Sequence, residues 1–326
     1  MLRIALTGSS GFVGKAIIRQ LVDDPEVDKI LALDLAPCED HPKVTWLNTD
    51  VRDPVLAEQF MSFGVNAVIH LAFIIEPKGK PDLMYDVNVN GTANVLRAAA
   101  ASHADRFMMM SSLAIYGVWP DNPTLLTEDL VPRPNPDDAY GQQKLQAEFM
   151  CHAFAEEHPE VAMSIMRPCG IMGPKLGANY LLMMLKAPFL PLPQKARGRA
   201  QFIHVDDVAR LASMLIKQRA RGIFNAAERS TLPWRAIYEL LGRPIVTMPR
   251  WLLSKLIGFL HRLRILPVIP SQMLMVSYPA VLSTERTAER VGFEAHYPIH
   301  TTLEQTVESL KQFIPIKRGW RRRKSD

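Results

Sequence analysis

Short apolar runs alternate with longer helical stretches through the first half of the chain. Ile4-Ala5-Leu6 predicts a strand and Phe12 to Leu21 a helix. Ile30 to Leu33, Val44 to Leu47, Ala67 to Leu71 and Phe107 to Met110 then repeat the short apolar pattern. The clearest intervening helix, Asn88 to Ala101, is rich in alanine, the best helix former. Strands alternating with helices need parallel crossovers, which chain twist makes right-handed. The predicted fold is therefore α/β, an open doubly wound parallel sheet. In such a sheet ligands sit at the carboxyl ends of the strands.

The pattern changes at Trp119 to Pro136, where Pro120, Pro123, Pro132, Pro134 and Pro136 exclude helix and interior strand. This loop lies between the Ser111-Ser112 strand end and Tyr140, a position from which it can cover a site. After Arg167 the pattern loosens again, with Pro168, Pro174, Pro188, Pro191 and Pro193, before one more strand and helix over Phe202 to Lys217. A smaller C-terminal region built from later segments is expected.

Composition narrows the class. Of 326 residues, 48% are hydrophobic and 22% charged, close to globular averages, which excludes a disordered chain. The formal charge of +5 resides in residues 317–326, so no nucleic-acid-binding face is expected. Cys38, Cys151 and Cys169 are widely spaced and form no C-x-x-C pair, which argues against a disulfide framework and against a metal site. A cytoplasmic, reducing location is expected. No apolar stretch reaches the ~18 residues of a membrane span, since Lys186, Lys255 and Arg262 interrupt the candidates.

Gly8-Ser9-Ser10-Gly11-Phe12-Val13-Gly14 directly follows the first strand and opens a helix. A helix N-terminus offers unpaired N–H groups to an anion, and glycines let backbone approach a pyrophosphate. A second strand then ends in Asp34, spaced as in a Rossmann-like dinucleotide site, where the acid accepts hydrogen bonds from an adenosine ribose. Its charge opposes a 2′-phosphate, so NAD is favoured over NADP.

Tyr140 and Lys144 stand four residues apart, on one face of a helix. A cation beside a phenol favours the phenolate, so Lys144 and an oxidised nicotinamide are expected to bring Tyr140 into general-base range. Phe107 to Met110 delivers Ser111 and Ser112 to the same sheet edge as the glycine loop. The three side chains suit hydride transfer: Tyr140 moves the alcohol proton, Ser112 holds the oxygen, and Lys144 also grips the nicotinamide ribose.

With these motifs the sequence resembles the extended short-chain dehydrogenase/reductases, specifically the NAD-dependent epimerase/dehydratase family. The resemblance is carried by Thr7-Gly8-x-x-Gly11-Phe12-x-Gly14, Asp34, Asp50-Val51-Arg52-Asp53, His70-Leu71-Ala72, Asn88-Val89-Asn90-Gly91-Thr92, Tyr116-Gly117, Tyr140-x-x-x-Lys144, Arg167-Pro168 and Phe202 to Asp207. It implies Asp50 and Val51 at the adenine, Leu71 and Ala72 along the cofactor, and Asn88 beside it. Ser111 joins the cofactor residues, and Pro168 and Cys169 stand near the nicotinamide. It also implies an NAD-binding unit of residues 1–168 and 202–228, with a substrate-binding region of residues 169–201 and 229–316. A homodimer pairing the helix near Asn94 to Ala101 with the helix bearing Tyr140 is implied as well.

Departures from the family pattern bear on the reaction. Leu113 and Ala114 stand where family dehydratases carry an Asp-Glu pair; neither transfers a proton, which disfavours a 4,6-dehydratase. Gly170 replaces an asparagine that often contacts the substrate's nucleotide, and Phe73 replaces a small residue. Tyr180 and Arg199 join Phe73 and Ser112 as candidate substrate residues. Nucleotide-sugar epimerisation is the leading expectation. A dehydrogenase of a hydrophobic, sterol-like alcohol and a non-catalytic NAD sensor are the alternatives. Pro249 to Leu266 forms a basic amphipathic stretch, for which packing in the smaller region, a substrate lid and, together with the basic tail, weak membrane-surface contact are the three readings.

Overall fold

A computed structural model describes residues 1–75, 81–176, 184, 186–262 and 270–311. Seven strands build its central sheet: β1 (Leu2–Thr7), β2 (Val27–Asp34), β3 (Val44–Asn48), β4 (Ala67–His70), β5 (Arg106–Met110), β6 (Ala162–Pro168) and β7 (Gly222–Ala226). Every pairing is parallel, in the order β7-β6-β5-β4-β1-β2-β3. Sequence order reverses direction between β1 and β4, which opens a crevice at their carboxyl ends.

β4 and β6 are buried along their whole length because helices cover both faces, and uninterrupted apolar runs such as Ala67-Val68-Ile69 are the sequence trace of that burial. Helices α1 (Phe12–Val22) and, late in the chain, Val205–Lys217 pack on one face. On the other lie α2 (Leu56–Phe63), α3 (Gly91–Ala101) and α4 (Ala139–Glu157). In chain order the helix Val205–Lys217 is α5. The stretch predicted as one helix from Asn88 begins with a wider π turn over Asp86–Asn90 before α3.

A third apolar cluster is built from later segments. Leu190, Phe202, Trp234, Ile237, Tyr238 and Leu303 are buried in it, with Leu253 and Ile257 from α6 (Arg250–Arg262). Two parallel strand pairs, Gly170–Met172 with Phe202–His204 and Leu190–Pro193 with Ile245–Met248, run through this part of the chain. The proline-rich segment after Trp119 is loop, tied down where Leu126 bridges to Leu282. No helix among the described residues is long and apolar enough to cross a membrane.

Candidate functional site

The glycine loop runs from β1 into α1. Gly8 has a φ of +72°, and a Cβ there would stand 2.9 Å from the Ala72 nitrogen. At Gly14 a Cβ would lie 2.2 Å from the Gly8 carbonyl, so only bare backbone allows the helix to start so close to the strand. Asp34 caps the loop: one carboxylate oxygen accepts from the Ser10 N–H at 3.0 Å and the other from the Ala36 N–H at 3.1 Å. Thr7 holds the neighbouring strand end, its hydroxyl accepting from the N–H groups of Leu71 and Ala72 and pairing with His70 Nδ1 at 2.7 Å. Phe12 and Val13 open α1 and pack against the core.

A dinucleotide fits this arrangement on two observations. The turn at Gly8 and Gly14 is packed so closely on backbone that only glycine allows it, the tight strand-to-helix turn that a pyrophosphate site needs. In addition, the buried hydroxyls of Ser9 and Ser111 have no hydrogen-bond partner, and buried polar atoms ordinarily find one.

Other cofactor candidates are already engaged within the chain. Asp50 is bound to Arg52, which also reaches Asp86, and this pairing holds the Asp50 carboxyl below the usual carboxylate range. Val51 is buried, and its carbonyl accepts from Asn94 at 2.9 Å. The Asn88 amide bonds both backbone groups of Ile74 and the side chain of Gln143, so it shapes the loop after β4.

Ser112 ends the strand region of β5 and caps the short turn Leu113–Tyr116, accepting from the Ala114 N–H at 3.1 Å. α4 begins beside this turn, capped by Asp138, whose side chain accepts from the Gly141 N–H at 3.1 Å. The half-buried Tyr140 is placed to hydrogen-bond Ser112. One turn further on, the buried Lys144 ammonium donates to the Met110 carbonyl at 2.6 Å and lies 3.5 Å from the centre of the Phe73 ring. Phe73 and Tyr140 meet edge to face, with ring centres 5.8 Å apart.

Burial pushes the Tyr140 phenol up to about 12, with the Ser112 hydrogen bond acting the other way. Lys144 is itself pushed down to about 7 by burial, which Glu148 partly opposes. The charge of Asp138 raises the phenol further, and Ser112 is the neighbour that lowers it. His70, enclosed between Thr7 and Thr92, is pushed down to about 3 by burial and the nearby Lys144, which keeps it neutral.

Ser112 and Tyr140 line a cavity of about 440 Å³. Ile75, Leu113, Ala114 and Met275 give it apolar walls, and Pro168, Cys169, Asp137 and Asp138 also line it. The buried Cys169 thiol is pushed up by desolvation, which keeps it protonated. Arg199 does not line this cavity; its guanidinium donates to the hydroxyl and carbonyl of Thr231. Tyr180 and the basic tail lie outside the described residues. Among the described residues no group of His, Cys, Asp and Glu is placed to hold a metal ion.

Behind the cavity sits a buried network. Arg167 makes two hydrogen bonds to Glu148, at 3.0 and 2.6 Å, and one to the Tyr116 hydroxyl at 2.9 Å, which in turn donates to Asn225. Sequence reading found Arg167 but missed Glu148. The available signal was its place on α4, four residues beyond Lys144 on the same face. Phe73 was noted for its bulk, but not for facing the ammonium.

A family profile described as the NAD-dependent epimerase/dehydratase family matches residues 4–227. The chain is 26% identical to N-acetyl-alpha-D-glucosaminyl-diphospho-ditrans,octacis-undecaprenol 4-epimerase of Escherichia coli O157:H7, over 97% of this chain and 96% of that one. It is 24% identical to an uncharacterized protein of Mycobacterium tuberculosis, over 92% of this chain and 81% of the relative. In fold it is similar to a UDP-glucose 4-epimerase of Thermotoga maritima solved with UDP-glucose, with a TM-score of 0.75 at 18% identity, covering 96% of this chain and 100% of that one. A dTDP-glucose 4,6-dehydratase of Streptomyces venezuelae, solved with NAD, also gives a TM-score of 0.75, at 20% identity and covering 95% and 97%.

Proposed function

The chain belongs to the NAD-dependent epimerase/dehydratase family, and from that premise we propose that it catalyses hydride transfer at a secondary alcohol or ketone of a sugar carried on a diphosphate, most simply as an epimerase. The observation that carries this reading is the meeting of Ser112 and Tyr140 at one cavity wall, with Lys144 behind them.

NAD, when bound, supplies the hydride acceptor and donor. Gly8, Ser10, Gly11 and Gly14 would face its pyrophosphate, Asp34 its adenosine ribose, and Ser111, Pro168 and Cys169 its nicotinamide end. Tyr140, protonated in the free protein, gives its proton to a ketone oxygen or, as phenolate, takes one from an alcohol; Ser112 donates a hydrogen bond to that oxygen. Lys144 is already desolvated, so its charge acts at close range on whatever stands beside it. Leu113 and Ala114 offer no proton for elimination across a sugar ring, which supports epimerisation over 4,6-dehydration. The division of the chain into an NAD-binding unit and a later substrate region is part of the same reading. So is a homodimer across α3 and α4, on which Phe149 stands exposed.

A second reading, a dehydrogenase of a hydrophobic alcohol, draws on the cavity wall. The described lining carries Asp137 and Asp138 but no lysine or arginine to hold a diphosphate. The two readings part on substrate. Purified protein with NAD is offered UDP-sugars, a polyprenyl-diphosphate sugar and apolar secondary alcohols. Epimerised sugar with no net reduced cofactor supports the first reading, and stoichiometric reduced cofactor from an apolar alcohol supports the second. Absence of turnover with every member of the panel contradicts both.

A further inference from the structure

One helix outside the candidate active site is apolar on two sides. α6 buries Leu253 and Ile257 in the third core cluster, yet it leaves Trp251 63%, Leu252 43%, Leu256 41% and Phe259 60% exposed. At 100° per residue the outward arc opposite Leu253 and Ile257 runs from Trp251 through Lys255 to Phe259, and Leu252 and Leu256 extend it along one flank. A Cβ added at Gly258, next to Trp251 around the helix, would meet nothing within 4 Å, so that flank of the helix is open. Isolated exposed apolar residues are ordinary on a protein surface, but four large ones within nine positions of one helix form a patch that points to a partner.

Charge identifies the chemistry of that partner. From Leu240 to Thr284 the sequence has no acidic residue, while Arg243, Arg250, Lys255, Arg262 and Arg264 all lie within it. Lys255 falls along the same exposed side of α6, its ammonium near the Trp251 ring. At the start of the helix a second cavity, of about 550 Å³, is lined by Lys195, Arg197 and Arg250 together with Ser277 and Tyr278, and no carboxylate lines it. Arg250 is held there by the Tyr278 hydroxyl and ring. An outward arc on which apolar side chains flank Lys255, with a cationic cavity at the helix start, matches an anionic lipid surface: acyl chains for the aromatic side chains and phosphates for the cations. Its 13 residues give a length of roughly 20 Å, less than a ~30 Å hydrocarbon core, so the helix suits lying in the interface.

We propose that α6 docks this protein onto anionic phospholipid membranes, with Trp251, Leu252, Leu256 and Phe259 entering the headgroup boundary and the Lys195, Arg197 and Arg250 cavity taking a lipid phosphate. This surface is independent of the hydride-transfer reading, and its test needs no substrate.

Full-length protein is mixed with phosphatidylglycerol-containing vesicles and with phosphatidylcholine vesicles, then sedimented. Binding to the anionic vesicles at least about tenfold stronger than to the neutral ones, and weakened by salt, is expected. The paired substitution Trp251→Ser with Phe259→Ser reduces that binding by about tenfold or more while NAD binding is retained. Hydrogen exchange on the unaltered protein gives a second measurement: vesicles slow exchange across Arg250 to Arg262. Protein remaining in the supernatant at low salt overturns the proposal, as does sedimentation without protection of α6. A paired variant that turns a dimer into a monomer while binding vesicles normally also overturns it, because the face would then belong to self-association.

Discussion

The ammonium of Lys144 lies 3.5 Å from the centre of the Phe73 ring while donating to the carbonyl of Met110. Burial disfavours the charged lysine, and the electron-rich ring face is among the few nearby groups that favour it. Phe73 also touches Tyr140 edge to face, so one ring packs against both side chains of the pair to which we assign proton handling.

Replacing that ring has a signed consequence. Phe73→Leu removes about 0.5–2 kcal/mol of cation–π stabilisation from the protonated lysine, equivalent to lowering its pKa by roughly 0.5–1.5 units. Loss of activity on the alkaline side of the pH–rate profile is expected to move to lower pH by a similar amount. Phe73→Trp keeps the ring face and is expected to restore the profile.

In the proposed reading the cofactor preference rests on Asp34, whose carboxylate binds the Ser10 N–H and would repel a 2′-phosphate. Asp34→Ser is expected to raise the ratio of NADP to NAD affinity by at least about tenfold, since removing a like charge is worth more than ~1.4 kcal/mol. Isothermal titration with both dinucleotides measures it.

Glu148 and Arg167 are both buried and hold each other through two hydrogen bonds. Glu148→Ala leaves the guanidinium without its carboxylate and is expected to cost about 3–5 kcal/mol. The urea midpoint should fall accordingly; Glu148→Gln, which keeps an acceptor, should lose less.

His70 predicts an acid dependence. Its folded pKa of about 3 lies below the ordinary 6.5, so the unfolded chain binds the extra proton first as pH falls. Stability linked to His70 is complete above about pH 6.5 and is lost progressively toward pH 3. Between pH 7 and 5 this amounts to about 2 kcal/mol. His70→Asn should flatten that part of the urea-midpoint profile relative to the unaltered protein.

What the sequence made legible was local. The apolar runs marked the strands before Ser111 because side-chain period and burial act over a few residues, and the glycine loop was readable because backbone approach limits residue type. Tyr140 and Lys144 were legible as a pair because four residues make one helical turn. The state of that pair was not, since desolvation depends on chain far away in sequence, Phe73 and Met110 included. Glu148 escaped notice because its meaning lies in Arg167, on a strand reached only after α4 ends. The π turn at Asp86–Asn90 left no periodic trace, although it is where the Asn88 amide reaches Ile74 and Gln143.

The central claim is that Tyr140 moves the proton that accompanies hydride transfer. Rapid mixing of NAD-loaded protein with the substrate found in the panel, followed by absorbance of the reduced nicotinamide, tests it in a single turnover. Reduction in the unaltered protein and a rate at least about a hundredfold lower in Tyr140→Phe, with NAD affinity unchanged, is the predicted result. Equal rates in the two proteins would contradict it.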